Sequence, residues 1–396
     1  MQIDTDFEGG SISVLVANDP ADVTLALRPD NAADFAQWFF FRVRVAEGTT
    51  CGFRIENADE AGYPGGYSDY RVCVSYDGEH WFRIPTDYSQ GELRFRLKCE
   101  RDLLTIAYFP PFTSERHHRL LDRVRASSRA RVLEIGRSVQ GRPISLVAFG
   151  DQGRSLHRIW VVAQQHPGEA MAGFCAEGLL DRLLDEDDPI ASALLAKAEV
   201  YVVPRMNPDG VAIGNHRTNA AGRDLNREWA SPSDEHSPEV ACVLRAIEER
   251  GGAEVFLDLH GDEEIPYVYA FSPRDAKGFP AKLALQEDRF CDTLARVSPD
   301  FQREESRKAG IPGGDDPRLS TSQIARRFDC LALGLEMPFT DNHLRADEAH
   351  GWSPERSRDL GRALVEALLA VLAPIQESMS IPPPPGSFRG FAQRPG

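Results

Sequence analysis

The sequence lacks paired cysteines, long apolar runs and an excess of positive charge, and each absence argues against a class of protein. Its 396 residues include seven scattered cysteines, an odd number without a Cys-x-x-Cys pair, which indicates reduced thiols in a cytoplasm. No run of about 18 apolar residues occurs and no positively charged, then apolar leader opens the chain, so neither a membrane span nor secretion is expected. The net charge of −16 argues against nucleic-acid binding, because contacts to phosphates need basic patches.

Apolar residues, in contrast, are abundant enough to form two hydrophobic cores. They make up 42% of the chain, which at this length supports two domains. Within residues 1–117, short strand-like runs recur, and the runs 71–76 and 80–84 flank an Asp77-Gly78 turn that is typical of a hairpin. Several short strands at regular spacing predict an all-β antiparallel sandwich as the first domain.

Two side chains able to bind a metal, His166 and Glu169, stand three residues apart after a predicted strand. The apolar run 158–163 is typical of a buried strand, and residues 170–184 have helical composition with leucines on one side. The pair would then lie at the carboxyl end of a strand, where open α/β sheets place their ligands. Alternatively, His166 is a capping or core histidine and Glu169 a first-turn carboxylate that suits the helix dipole.

A second histidine, His260, ends another strand-like run and completes a candidate metal triad. Catalytic zinc sites commonly use three protein ligands of the His₂Glu kind and leave the fourth position to water. The same donors also suit cobalt or nickel. Asp258 lies two residues earlier, so strand alternation points both side chains the same way. We expect Asp258 either to orient His260 from behind or to cap a nearby loop.

Two further segments carry polar groups in unusual places. The loop-like stretch 207–229 contains Arg217, Asn226 and Arg227, and an arginine presents a fork of donors that matches a carboxylate. Glu336 ends the otherwise apolar run 330–338, and burying a carboxylate without a partner is costly. We therefore expect Glu336 to face a cleft, the alternative being a strand end in solvent.

The ordered motifs His-x-x-Glu, Asn-Pro-Asp-Gly (207–210), Asp-Leu-Asn-Arg (224–227), His260 and Glu336 resemble the zinc metallocarboxypeptidase family typified by carboxypeptidase A. The resemblance covers roughly residues 118 to 375. The sandwich in front of it is similar to that of the cytosolic carboxypeptidase subfamily, in its bacterial two-domain form. An α/β fold is implied, with a mixed-sheet α/β/α sandwich as the catalytic domain at 118–378 and a Pro/Gly-rich tail at 379–396.

The resemblance also implies an activity and a division of labour. The activity is zinc-dependent hydrolysis of the C-terminal bond of a peptide or protein, with one zinc per chain. The implied roles are zinc ligand for His166, Glu169 and His260, general base for Glu336, oxyanion stabiliser for Arg217, clamp on the substrate carboxylate for Asn226 and Arg227, and peptide steering for Arg142. Arg142 could equally be a surface arginine, and Arg223 and Asp224 are interpreted as loop scaffolding.

Specificity is open at this stage. Secreted family members close over substrate with a tyrosine upstream of the general base, and this chain has no tyrosine between Gly278 and Glu336. Arginines at 318, 326 and 327 precede the base, and one of them reaching the pocket would select a C-terminal glutamate. The alternatives to a carboxypeptidase are a zinc-dependent deacylase of N-acyl amino acids, similar to aspartoacylase or succinylglutamate desuccinylase, and a non-catalytic peptide-binding module.

Overall fold

The computed structural model of this chain describes four stretches of residues. These are 1–150, 157–276, 278–304 and 316–374. Most of the Gly/Pro-rich loop at 310–320 and the whole tail predicted at 379–396 lie outside the described residues.

The described residues form strands throughout and helices only from residue 114 onward, short 3₁₀ turns aside. The strands are β1 Gln2–Asp4, β2 Ser13–Asp19, β3 Asp22–Ala26, β4 Phe40–Arg44, β5 Thr50–Ile55, β6 Val72–Ser75, β7 Trp81–Ile84, β8 Thr86–Ser89, β9 Glu92–Lys98, β10 Leu103–Ala107, β11 Ala130–Arg137, β12 Pro143–Phe149, β13 His157–Ala163, β14 Ala198–Val203, β15 Val255–Asp262, β16 Tyr269–Phe271 and β17 Leu331–Pro338. The helices are α1 Ser114–Ala126, α2 Ala170–Leu184, α3 Pro189–Leu195, α4 Pro208–Ile213, α5 Pro238–Glu249, α6 Ala281–Val297, α7 Ser320–Phe328 and α8 Pro354–Val371.

The first ten strands form a β-sandwich, as the sequence predicts. One sheet has the order β1-β4-β10-β6-β7 and the other β2-β3-β5-β9-β8. Pairing is antiparallel except between β3 and β5, which run parallel, a detail that the alternating pattern does not reveal. Phe41 of one sheet contacts Phe53 of the other, with ring centroids 6.0 Å apart, so the inner faces share one aromatic core.

The second part of the chain is built on a mixed seven-stranded sheet. Its order is β11-β12-β14-β13-β15-β17-β16, with β14, β13, β15 and β17 parallel. Alternate residues of β13 enter two different cores: Val161 packs with α2 and α8 on one face, and Trp160 packs with α5 and α7 on the other. The predicted α/β/α sandwich is therefore confirmed, and helix α2 has the predicted bounds.

The carboxyl ends of β13, β15 and β17 lie side by side at one edge of this sheet. In the parallel register, His260 of β15 stands opposite Glu336 of β17. Helix α2 begins with Glu169 as its N-cap, immediately beyond β13. Three segments that are far apart in sequence thus meet at the edge where parallel sheets place their ligands.

Two findings bear on the expectations drawn from composition. None of the helices in the described residues is long and apolar enough to cross a bilayer. All seven cysteines are buried and free, and the sulfur atoms of Cys51 and Cys99 lie 3.6 Å apart. Location in a cytoplasm stays a prediction.

Candidate active site

His166, Glu169 and His260 converge on one point at the end of the sheet. The Nδ1 atom of His166 lies 2.5 Å from Oε1 of Glu169, and Nδ1 of His260 lies 2.8 Å from Oε2 of the same carboxylate. All three side chains are buried, and their candidate ligand atoms lie within 4.8 Å of one another. The structure thus brings together the three residues that the sequence predicts as a metal triad.

The backbone after β13 is shaped to place the first two of these side chains. Gln164 adopts a left-handed conformation with φ 51°, which turns the chain sharply out of the strand. Gly168 lies so close to the neighbouring loop that a Cβ atom there would meet Nδ1 of His216 at 2.3 Å. The glycine between His166 and Glu169 is therefore required by the packing, in addition to any role in the turn.

Each histidine is held from behind by a carboxylate. Oδ1 of Asp224 lies 3.0 Å from Nε2 of His166, and Oδ2 of Asp258 lies 2.9 Å from Nε2 of His260. If each Nε2–H donates to its carboxylate, the lone pair of each Nδ1 remains free to bind a metal. The orienting role of Asp258 is thus favoured over loop capping, and the interpretation of Asp224 as mere loop scaffolding was incomplete.

The donor set and the local charge suit a divalent cation such as zinc. Two imidazole nitrogens and a carboxylate are the His₂Glu set of catalytic zinc sites. Four carboxylates, those of Glu169, Asp224, Asp258 and Glu336, gather here, and Arg217 is ion-paired to just one of them, Asp224. Oδ1 of Asp258 and Oε2 of Glu336 are buried and have no hydrogen-bond partner within the described part of the chain. Such an excess of buried negative charge would be offset by a bound dication.

Glu336 lies next to the triad, and its carboxyl group has a raised proton affinity. It stands opposite His260 on one side and opposite Tyr269 of β16 on the other. The residue keeps some exposure while its Oε2 is enclosed, so it is not the fully solvated strand end considered as an alternative. Burial raises the pKa of the Glu336 carboxyl well above its ordinary value, although the charge of His260 opposes this.

The carboxylate of Asp224 lies between Arg217 and His166 and contacts both. Its Nε donates to Oδ2 of Asp224 at 2.9 Å, while the other oxygen of Asp224 faces His166. Burial opposes the charged form, but the Asp224 carboxylate outweighs it and raises the pKa of Arg217. Arg217 is therefore a charged hydrogen-bond donor that lies beside the metal triad.

Asn226 also reaches the site, and Arg227 is the next residue in the chain. The amide nitrogen of Asn226 lies 3.3 Å from Nε2 of His260, and its carbonyl oxygen accepts a hydrogen bond from the backbone N–H of Ser320 at 2.9 Å. Nη1 of Arg227 donates to the backbone carbonyl of Asn226. Arg142, in contrast, pairs with Asp209 at 2.7 Å, and no contact in the described part of the chain joins it to the triad.

Two of the three arginines considered for the specificity pocket form ion pairs with carboxylates outside the triad. Arg318 pairs with Asp316 through Nε and Nη2, with its side chain 60% exposed. Arg327 pairs with Glu248 of α5, on the outer face of the sheet. Ser320, in the same segment, is buried and donates to Asp258. The contacts of Arg318 and Arg327 thus give no support to a charged pocket built from these two residues.

Three residues of the leading sandwich also lie at the site, and sequence reasoning missed them. They are Asp30, Phe35 and Tyr63. Each contacts Arg217, through the backbone N–H in the case of Asp30 and through the guanidinium in the case of the two rings. No motif marks them, because they belong to a different domain and come more than 150 residues before Arg217 in sequence. The aromatic- and glycine-rich loop around Tyr63 was the one local signal.

Replacing Asp258 by asparagine is expected to weaken zinc binding by about 10- to 100-fold without unfolding the protein. The amide removes the negative charge behind His260 while keeping the shape of the side chain that Gln165 and Ser320 contact. Zinc affinity is measured by competition with a chromophoric chelator. The control is Asp359→Asn, at a side chain 72% exposed on α8. Affinities that agree within twofold would show that Asp258 does not orient the ligand.

Comparison with known proteins assigns both halves of the chain. Residues 3–109 match the model of the cytosolic carboxypeptidase N-terminal domain, and residues 117–340 match the model of the zinc carboxypeptidases. The human protein cytosolic carboxypeptidase 6 is 24% identical over 416 aligned residues, which cover 96% of this chain and 81% of that protein.

Two solved structures of metallo-carboxypeptidases are similar over nearly the whole length. The one from Burkholderia cenocepacia is 39% identical, with a TM-score of 0.89, and covers 93% of this chain and 98% of that one. The one from Pseudomonas aeruginosa, solved in complex with (2-guanidinoethylmercapto)succinic acid, is 42% identical, with a TM-score of 0.88 and the same coverage of both chains, 93% and 98%. The two-part layout of the fold is thus shared with bacterial relatives.

Proposed function

Since this chain belongs to the zinc carboxypeptidase family and is a metallocarboxypeptidase, we propose which of its residues hydrolyse a C-terminal peptide bond. The observation that carries the proposal is the convergence of His166, Glu169 and His260 on one point, with Glu336 in register beside His260. These three residues would hold one zinc ion per chain. Zinc bound there supplies a Lewis acid that polarises the scissile carbonyl and lowers the pKa of water.

Glu336 acts as the proton carrier in this proposal. It accepts a proton from the attacking water and returns it to the nitrogen of the departing residue. The support is its place in the register and its raised pKa, which burial causes and the charge of His260 opposes, since a carboxylate with a raised pKa is a stronger base toward water. Its Oε2 is enclosed and has no hydrogen-bond partner among the described residues, so this oxygen is free to accept the proton of the attacking water.

Arg217 and the pair Asn226 and Arg227 handle the negative charges of the substrate. Arg217 donates to the oxyanion that develops at the scissile carbonyl, and its ion pair with Asp224 holds the guanidinium in place. Asn226 and Arg227 bind the free α-carboxylate, which makes the enzyme an exopeptidase. The relative from Pseudomonas aeruginosa was solved in complex with (2-guanidinoethylmercapto)succinic acid, a dicarboxylate, which supports recognition of carboxylates by this kind of enzyme. A steering role for Arg142 stays a prediction, with its guanidinium paired to Asp209.

An acidic C-terminal residue as the preferred substrate also stays a prediction. Its basis is the row of arginines that precedes Glu336, but Arg318 and Arg327 are paired with Asp316 and Glu248. The net charge of −16 also opposes acidic substrates at long range. The deacylase alternative is not favoured, since both halves of the chain match carboxypeptidase models.

We expect the zinc-loaded protein to remove single residues from peptides with a free C-terminus and to leave their amidated counterparts intact. The reason is that an amide offers no carboxylate to Asn226 and Arg227. The measurement is mass spectrometry of a mixed set, with C-terminal Glu, Lys and Leu, amidated copies, glutamate side-branches and N-acyl amino acids, against a control treated with chelator. Acyl release with intact peptides would replace the proposal by the deacylase, and release of Leu equal to or better than Glu would refute the acidic preference.

A further inference from the structure

We propose that Tyr63 of the leading β-sandwich binds the substrate peptide through its hydroxyl, so that both domains build the substrate site. The inference rests on the proposed function and extends it to a residue outside the catalytic sheet. Its basis is a phenol that lies between the two domains, beside Arg217, and whose hydroxyl has no hydrogen-bond partner among the described residues.

The sandwich is anchored firmly to the loop that carries Arg217. The buried carboxylate of Asp30 accepts hydrogen bonds from the backbone N–H groups of residues 216, 217 and 218, at 2.6, 2.8 and 2.8 Å. It also accepts one from the hydroxyl of Thr218 at 3.1 Å. Asn31 and Asn215 exchange two further hydrogen bonds next to it. Four bonds to one buried carboxylate give a fixed geometry, so the sandwich surface facing Arg217 is part of the site.

Two aromatic rings of the sandwich, those of Phe35 and Tyr63, pack against this loop. The ring of Phe35 stacks on His216 with centroids 5.7 Å apart, and it contacts Tyr63 at 5.6 Å. The guanidinium carbon of Arg217 lies 5.8 Å from the centroid of Phe35 and 5.7 Å from that of Tyr63. A substrate oxygen bound by Arg217 would therefore lie next to the Tyr63 ring.

Hydrogen bonds hold the backbone of Tyr63 in place. Gln37 accepts from the backbone N–H of Tyr63 at 3.0 Å and donates to its carbonyl at 3.4 Å. Pro64 follows and begins a short 3₁₀ turn, which restricts the chain further. The backbone from which the ring extends is thus fixed, and the ring itself packs against Phe35 and Arg217, which lowers the entropy lost when substrate binds.

Neighbouring tyrosines of the sandwich form hydrogen bonds through their hydroxyls, whereas the hydroxyl of Tyr63 forms none with the described residues. Those of Tyr67, Tyr70 and Tyr108 all have hydrogen-bond partners inside the protein. No partner for the hydroxyl of Tyr63 is found in the described residues. Burial raises the pKa of Tyr63 to about 12, with the charge of Arg217 opposing this, so the phenol is a neutral donor under all working conditions. The carboxylates of Glu263, Glu169 and Asp224 add to the rise.

The test compares Tyr63→Phe with wild type on a peptide that has a free C-terminus. Phenylalanine keeps the packing against Phe35 and Arg217 and removes the hydroxyl alone. We expect kcat/KM to fall about tenfold or more, with zinc content and thermal midpoint unchanged. Tyr88→Phe is the matched control, because the hydroxyl of this tyrosine of the same sandwich likewise has no hydrogen-bond partner among the residues that the structure describes, and it should keep kcat/KM within twofold.

A Tyr63→Phe enzyme within twofold of wild type would overturn the inference while leaving the carboxypeptidase proposal in place. A wild-type protein that cleaves none of the peptides would instead refute the proposed function. In that case the affinity for a fluorescent peptide with a free C-terminus decides the inference. Tyr63→Phe must bind that peptide at least severalfold more weakly than wild type, and equal affinity overturns the contact.

Discussion

Glu336→Gln is expected to lower kcat by roughly 10²–10⁴-fold while zinc stays bound. Glutamine has the same size and keeps the packing at the end of β17, but it cannot accept the proton of water and pass it to the leaving nitrogen. The side chain is no part of the metal triad, so its replacement removes no ligand. Turnover of a peptide with a free C-terminus and zinc content per chain are measured on the same preparation.

The comparison needs a glutamate that is replaced in the same way away from the site. Glu348 is exposed and lies in the segment between β17 and α8, so Glu348→Gln should leave both quantities unchanged. Turnover retained in Glu336→Gln would mean that another group carries the proton. The nearby carboxylates of Asp262 and Glu263 would then be the next candidates.

His260→Ala is expected to reduce zinc from about one ion per chain to nearly none, and activity with it. The substitution leaves only His166 and Glu169 as donors, whereas catalytic zinc sites use three protein ligands. The alanine also leaves the buried carboxylate of Asp258 without its imidazole partner. Zinc is measured by elemental analysis after dialysis, and activity is measured before and after zinc is added back.

His118→Ala is a suitable control, because that histidine is exposed on α1. Wild type stripped with a chelator should regain activity when zinc is restored, and His260→Ala should not. Zinc should also raise the thermal midpoint of wild type, since a ligand that binds only the folded state stabilises it. Full zinc occupancy in His260→Ala would show that the triad has been assigned wrongly.

Elements whose signal is local could be predicted from the sequence. Helix α2 has the predicted bounds because a β-strand, a turn with Pro167 and a leucine face follow one another without a break. The hairpin of β6 and β7 forms around Asp77-Gly78, where Gly78 takes φ 78° and the carboxylate of Asp77 accepts from two backbone N–H groups. In both places the preference of a few neighbouring residues decides the backbone, independently of the rest of the chain.

Residues that act through distant partners could not be predicted in the same way. Asp224 looked like scaffolding because its nearest neighbours are loop residues, yet it contacts His166, 58 positions earlier. The row of arginines before Glu336 suggested a charged pocket, but Arg327 pairs with α5 instead. Which of several possible ion pairs forms depends on distances that only the packed domain sets.

The sequence by itself determined the family and the class of fold, and it contains the side chains that we propose as metal donors and proton carrier. Those properties depend on side-chain type, order and periodicity, which can be read directly from the sequence. The tertiary structure decided how these groups are held, through Asp224 and Asp258 behind the two histidines, and where the substrate site ends. It placed Asp30 and Tyr63 of one domain against Arg217 of the other. Contacts between domains follow from the fit of two complete surfaces, and no local pattern encodes such a fit.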